Sequence, residues 1–269
     1  MLKKSNYMME HAGECSRLEM KTRAEQVTRQ ALRAGIATGM NVLDAGCGVG
    51  KTTAILKDLV GDSGKVTGVD VSIKRIEGAR ARYQRSGINF LQHDLLEPIE
   101  NIQTQFDAVW MRFLLEYFRD DPLRIVSNCI DCLKPGGILV LIDLDNNSMN
   151  HYGMPPELER TMLSVITHLQ EHHNFDPFAG RKLYSHLYDL GFENIEVEVE
   201  AHHNIYGPLE TTDESNWVSK VMVACKNSGC AFEEFGGTFN TALEAFRVYF
   251  QNPRRYTYTP LILARGTKA

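Results

Sequence analysis

The sequence predicts an α/β fold: a parallel sheet with helices on both faces. Two observations carry this. Short apolar runs alternate with amphipathic stretches from residue 41 to about 143, and glycines mark their boundaries. The runs are also apolar at consecutive positions, as strands buried on both faces require. A length of 269 residues with 43% hydrophobic and 23% charged residues suits one well-filled domain.

The elements follow in order. NVLDA (41–45) is strand one, running into glycines, and TTAILKDLV (52–60) is a helix stopped by GDSGK. KVTGVD (65–70) is strand two, SIKRIEGARARYQRSG (72–87) a helix with a terminal glycine, and INFLQHD (88–94) strand three. FDAVWM (106–111) is strand four. DPLRIVSNCIDCL (121–133) is a helix with Asp121 as cap and Pro122 in its first turn. KPGG then turns the chain into ILVLID (138–143), strand five.

The second half behaves differently. IEVEVEAH (195–202) alternates apolar and polar, as a strand with one wet face near the sheet edge does. On that alternation His202 and His203 point opposite ways. AFEEFGGTFNTALEAFRVYF (231–250) reads as a helix with Phe232, Phe235, Phe239, Ala242, Phe246 and Tyr249 on one face, weakened at Gly236 and Gly237. YTYTPLILARG (256–266) is a final strand. Outside the core lie an N-terminal helix over residues 8–34 and an insertion at 146–180, whose helix places Leu158, Met162, Val165 and Leu169 on one stripe. Ligands of open α/β sheets bind beyond the C-terminal strand ends. The 1–36 and 146–180 segments, and 204–229 as a further piece, are therefore expected to act as a lid over a core at 40–144, all in one domain.

Composition narrows the function. The net charge is −5, and no block of Lys and Arg stands out, which argues against a nucleic-acid partner. No apolar run is long enough to span a bilayer and no signal-peptide h-region follows the start, so a cytoplasmic protein without a membrane partner is expected. The cysteines at 15, 47, 129, 132, 225 and 230 are scattered. Cys129 and Cys132 fall in an apolar helical run, as buried thiols rather than metal ligands. His168, Glu171, His172 and His173 lack the H-E-x-x-H order of a zinc hydrolase, and no metal is expected.

The stretch VLDAGCGVGKTT (42–53) carries the chemistry and admits two readings. From Ala45 it resembles a phosphate-binding P-loop, with Asp143 imitating the magnesium acid. Three features oppose this. Asp44 precedes the loop and would repel a triphosphate while favouring a cation. Gly46, Gly48 and Gly50 follow G-x-G-x-G, which packs close to an adenosyl-sized ligand. Asp70 ends strand two, 24 residues after Gly46, where an acid accepts hydrogen bonds from ribose hydroxyls. A nicotinamide dinucleotide is disfavoured because position 51 is Lys where that fingerprint has its third glycine. Lys51 is then expected to face solvent. Asp94 can accept from an adenine amino group or serve as a loop acid.

With VTGVDVS, FLQHDL, FDAVWMRFLLEY and LKPGGILVLID in the same order, residues 40–144 resemble the core of class I S-adenosylmethionine (SAM)-dependent methyltransferases of the small-molecule type. The resemblance implies a Rossmann-like seven-stranded sheet of order 3-2-1-4-5-7-6 with strand seven antiparallel. It implies SAM as cofactor and S-adenosylhomocysteine (SAH) as product, with Asp44, Gly46 and Gly48 at the methionine end. Asp70 would take the ribose, Val71 the adenine face, Asp94 and Leu95 the adenine edge, and Arg112 a place beside the ammonium. The N-terminal stretch is similar to a cofactor-covering helix, which makes Tyr7 and Arg17 further candidates. Many relatives carry His where this chain has Glu116.

Methyl transfer from a sulfonium is an in-line displacement that needs alignment and exclusion of water, and a base only for hydroxyl acceptors. Glu116, Asp143, Asp145, His151 and Tyr152 are the candidates near the strand ends. A helical cover suits a small-molecule acceptor, and a homodimer is left open. A protein or RNA acceptor, a non-catalytic SAM-binding module and a P-loop ATPase stand as rivals.

Overall fold

The computed structural model describes residues 18–19, 22–99, 105–209, 217–218, 221–225, 229 and 231–269. Its strands are β1 (Asn41–Ala45), β2 (Lys65–Asp70), β3 (Ile88–Gln92), β4 (Phe106–Arg112), β5 (Leu133–Leu144), β6 (His151–Tyr152), β7 (Glu193–Tyr206) and β8 (Tyr256–Thr267). The helices are α1 (Ala24–Arg33), α2 (Lys51–Val60), α3 (Ile73–Tyr83), α4 (Pro122–Ile130), α5 (Pro156–His172), α6 (Leu183–Asp189) and α7 (Phe239–Phe250).

The sheet runs β3-β2-β1-β4-β5-β8, with β7 on the far edge of β8. The first five strands are parallel, and β8 is antiparallel to both β5 and β7. This is the expected order with its antiparallel last strand. One strand is additional. Thr257 pairs with Ile205 of β7 on one side and with His151 of β6 on the other, so two-residue β6 continues the β5 edge beyond the end of β5.

Consecutive strand residues supply both faces. Val42, Ala108, Trp110, Val140 and Ile142 pack with Val27 and Ala31 of α1 and with Leu56 and Val60 of α2. Their neighbours Leu43, Val109, Leu139 and Leu141 pack with Ile125 and Val126 of α4 and with Leu183 and Leu187 of α6. This is why the runs lack polar alternation. Asp121 caps α4 by accepting from the Arg124 amide at 3.3 Å, with Pro122 in the first turn. Cys129 is fully buried and Cys132 nearly so, as inert thiols.

A second apolar body stands apart from the sheet. Leu158, Met162, Val165 and Leu169 of α5 meet Phe246, Tyr249 and Phe250 of α7, with Trp217, Val221 and Cys225 alongside. The expected 231–250 helix is split: a single 3-10 turn at Glu233–Phe235 is followed by Gly236 and Gly237 at φ +62° and +72°, and α7 begins afresh at Phe239. Two left-handed residues in succession end a right-handed helix, and only glycine adopts them without strain.

The edge strand β7 also departs from simple alternation. Ala201 pairs with Pro260 and His203 with Thr259, leaving His202 as an extra residue in a bulge. The bulge turns His202 and His203 towards each other, with ring centroids 4.4 Å apart, where regular alternation would separate them. Ion pairs fasten α1 across β7: Arg29 Nη2 lies 3.1 Å from Glu200 Oε2 and Arg33 Nη1 2.9 Å from Glu198 Oε2. No helix among the described residues is long and apolar enough to cross a membrane.

Candidate cofactor and acceptor site

The site is built by the turn out of β1. Past Ala45 the backbone is left-handed at Gly46, Gly48 and Gly50, with φ of +78°, +55° and +85°. Four of its amides are already committed. Gly46 N–H and Cys47 N–H both donate to Val69 O at 2.8 and 2.9 Å, and Gly50 N–H donates to Cys47 O at 3.0 Å. Gly48 N–H donates to Asp70 Oδ2 at 3.0 Å. A phosphate-wrapping loop aims such groups at its ligand; here three of the four bind the end of β2 and the fourth closes the turn on itself. Lys51 does not face solvent as expected. Its ammonium donates to Glu19 O at 2.6 Å and clamps the 18–19 segment above the loop. Tyr83 also donates to Glu19 Oε1. Glu19 lies in a helical piece within the expected 8–34 helix, which is interrupted at Thr22 and Arg23 before α1, and its contacts Lys51 and Tyr83 are distant in sequence.

A large cavity opens above this turn at the C-terminal ends of β1, β2 and β4. Gly46, Gly48, Asp70, Val71, Asp94, Leu95 and Arg112 all line it, so the structure brings together seven of the eight cofactor residues expected within the core. The eighth, Asp44, lies behind the turn, 2% exposed, and accepts from Thr53 Oγ1 at 2.6 Å. Burial pushes its carboxyl up to about 7, against the lowering influence of the Thr53 bond and of Arg112, and with Asp70 adding to the rise. Burial likewise draws the Arg112 guanidinium down to about 10, opposed by Asp44, Asp143 and Glu200. Arg112 Nε donates to Gln30 Oε1 at 3.3 Å, and Gln30 Nε2 donates to Glu200 Oε2 at 3.0 Å, which links the cavity floor to the edge strand. Asp94 lines the cavity and also accepts from Leu96 N–H at 3.0 Å, so it is a loop acid within the site. Tyr7 and Arg17 lie outside the described residues.

The acid–base candidates are placed elsewhere. Glu116 and Asp143 are buried together beneath the cavity wall. Asp143 accepts from the Leu144 and Glu116 amides at 2.9 and 3.1 Å, and Glu116 Oε2 accepts from Asn147 Nδ2 at 2.5 Å. Burial first, and Glu116 second, push the Asp143 carboxyl well above the usual range. Asp145 is held by Arg181 through two bonds of 2.7 and 2.9 Å. His151 Nδ1 lies 2.8 Å from Thr257 Oγ1, and Tyr152 is 65% exposed. None of the five lines the cavity.

The cavity holds residues that motif spacing missed: Leu18, Leu114, Tyr117, Phe118 and His173. They come from segments far apart in sequence: Arg119 N–H donates to Asn174 O at 3.0 Å and Asp176 N–H to Glu116 O at 2.7 Å, which joins the 114–118 stretch to His173. Arg75 was missed too, although a signal existed: Ser72 caps α3 and puts residue 75 in its first turn, beside the end of β2. The Tyr117 and Phe175 rings, 6.2 Å apart, divide this cavity from a smaller apolar one among Met162, Val165, Phe175 and Trp217, with Asn147 and Ser148 on its edge. Phe113, Asn146 and Ser148, which follow β4 and β5, all have left-handed φ, a strain that collects at functional turns. Among the described residues no group of three His, Cys, Asp or Glu side chains is arranged to hold a metal ion.

Residues 42–137 match a family model described as a methyltransferase domain. The chain is 35% identical over 130 residues to a demethylmenaquinone methyltransferase of Lactococcus lactis subsp. lactis (strain IL1403), covering 47% of this chain and 50% of that protein. It is 31% identical over 112 residues to a ubiquinone biosynthesis O-methyltransferase of Erwinia tasmaniensis, covering 41% and 44%. The chain thus spans about half the length of these relatives. Among solved structures, the [4+2]-cyclase SpnF superposes with a TM-score of 0.53 at 20% identity over 91% of this chain and 82% of that one, a likeness of fold alone.

Proposed function

From the match of residues 42–137 to a methyltransferase-domain model, we propose that the chain transfers a methyl group from SAM to a small-molecule acceptor. One observation carries the choice of cofactor: the Gly46, Cys47 and Gly48 amides are spent on Val69 O and on Asp70, which ties the first half of the turn to the end of β2 and sets the Asp70 carboxylate at its mouth, where a ribose suits and a triphosphate does not. The residues present fit an adenosyl cofactor. Asp70 Oδ2 keeps capacity for a ribose hydroxyl, Val71 and Leu95 offer apolar surface to a purine, and Asp94 can take its amino group. Arg112 forms the floor at the methionine end, with Asp44 buried behind the turn.

SAM supplies a methyl group made electrophilic by its sulfonium. The chain's own part is to orient, to exclude water and to balance charge. Asp44, neutral in part near pH 7, gains charge most readily when a cation is placed near it, so the floor answers the ligand's charge. Leu18, held over the loop by the Lys51–Glu19 bond, and Leu114 close the cavity on either side. The 1–36 and 146–180 segments, with 204–229, are proposed as the lid. The acceptor would enter past Tyr117 and Phe118, with its apolar body towards the cavity beneath α5. His173, which lines the cavity, is better placed than Glu116, Asp143, Asp145, His151 or Tyr152 to receive a proton from a hydroxyl acceptor. The described free cysteines are all buried, which suits a reducing compartment such as the cytoplasm.

Calorimetry tests the cofactor. SAH should bind without magnesium, and ATP with magnesium should give no heat of binding. Asp70→Ala should weaken SAH binding more than tenfold, as loss of a charge-assisted bond in a buried site does. Tight ATP–magnesium binding would overturn the methyltransferase reading. SAH binding without turnover of any acceptor in a metabolite screen would favour the non-catalytic module.

A further inference from the structure

Asp70 does not stand alone at the end of β2. Its side chain is almost wholly buried, and so is that of Arg75, whose Nε donates to Asp70 Oδ1 at 3.0 Å. The same Oδ1 accepts from Ser72 N–H at 2.9 Å, while Oδ2 accepts from Gly48 N–H at 3.0 Å. An ionised carboxylate offers about four acceptor positions, two on each oxygen. Oδ1 therefore has both positions filled by protein donors, and Oδ2 has one left. A ribose offers two neighbouring hydroxyls, and this carboxylate has room for one.

The charges facing Asp70 explain why a cation is needed there. Asp44 acts on it from β1, and Arg75 is the cation within reach on α3. A charge buried without a partner costs several kcal/mol, and a guanidinium supplies both charge and fixed direction. The bond runs from Nε, the atom closest to the stem, so it constrains the carboxylate plane more than a terminal nitrogen would.

We propose that Arg75 is a positioning residue for cofactor binding: it locks the Asp70 carboxylate so that a single oxygen, Oδ2, meets a single ribose hydroxyl. This rests on the adenosyl-cofactor reading above. The lock makes the site unequal towards the two hydroxyls, whereas a freely turning carboxylate would accept either or both.

Calorimetry with SAH and with its 2′-deoxy and 3′-deoxy analogues tests it. The wild-type chain should lose more than tenfold in affinity for one analogue and less than threefold for the other. In Arg75→Met, which keeps the stem's bulk, SAH affinity should fall at least tenfold and the two analogues should become equivalent within threefold. Arg75→Lys should recover part of the affinity but not the discrimination, because an ammonium lacks the directed Nε bond. Equal losses for both analogues in the wild-type chain would overturn the proposal, and this arm holds even if Arg75→Met fails to fold. Discrimination preserved in Arg75→Met would overturn it too. Failure of the wild-type chain to bind SAH at all would instead sink the cofactor reading.

Discussion

At the residue scale, Asp44 shows how one side chain ties stability to function. Its carboxyl lies at about 7 in the folded chain against an ordinary 3.8. Between those values the folded state holds a proton that the unfolded state has lost. Its contribution is fully present below about pH 4, declines as pH rises, and is gone once pH passes about 7. Asp44→Asn keeps an oxygen for Thr53 and removes the titration. Its melting temperature relative to the wild type should rise by roughly 5 °C between pH 5 and pH 8. A difference constant with pH would show that Asp44 is not raised. SAM should bind the variant more weakly, and SAM binding to the wild-type chain near pH 7 should release protons, visible as a dependence of the calorimetric heat on buffer ionisation enthalpy.

At the scale of elements, the glycine turn is fixed from below as well as by its ligand. A Cβ on Gly50 would lie 2.8 Å from Ala79 Cβ and 2.8 Å from Phe90 Cζ, at a φ of +85° that disfavours any side chain. Gly50→Ala should therefore cost roughly 2–4 kcal/mol, lowering the melting temperature by roughly 5–10 °C, and should weaken SAH binding by displacing Gly48. A melting curve matching the wild type would show that α3 and β3 do not brace the loop. What could be read beforehand follows the same division. The strands and the acids at their ends were legible, because consecutive apolar runs and the spacing of Asp44, the glycines and Asp70 are local signals; the strand order was implied by the resemblance to methyltransferases. The bulge at His202 and the wall of Tyr117, Phe175 and His173 were not, because they arise from contacts between distant segments. Lys51 was misplaced for that reason: its partner Glu19 lies 32 residues away. Arg75 was legible in principle, since a capped helix start fixes where its first turn points.

At the scale of the whole molecule, β8 is the seam. Its inner half pairs with β5 through Ile138–Leu144, its outer half pairs with β6, and β7 runs along the other edge from Glu193 to Tyr206. Leu261, Leu263 and Ala264 are buried in the sheet's cores, while Thr257 and Thr259 hold His151 and His203 beside the second apolar body. Sheet and helical body are thereby joined through one strand. A chain ending at Phe250 should lose SAH binding and expose the β5 and β7 edges, giving aggregation detectable by light scattering. A monomeric truncated chain with intact binding would show that β8 is dispensable to the core.

The position of that seam sets a timetable for synthesis. Strands β1 to β5 leave the ribosome early, yet β5 has no outer partner until residues 256–267 have been translated. For that interval the nascent sheet carries an open apolar edge, and the α5–α7 body lacks the strand that joins it to the sheet. Helper proteins that shield exposed β edges, or translation fast enough to shorten the wait, would therefore raise the yield of this chain.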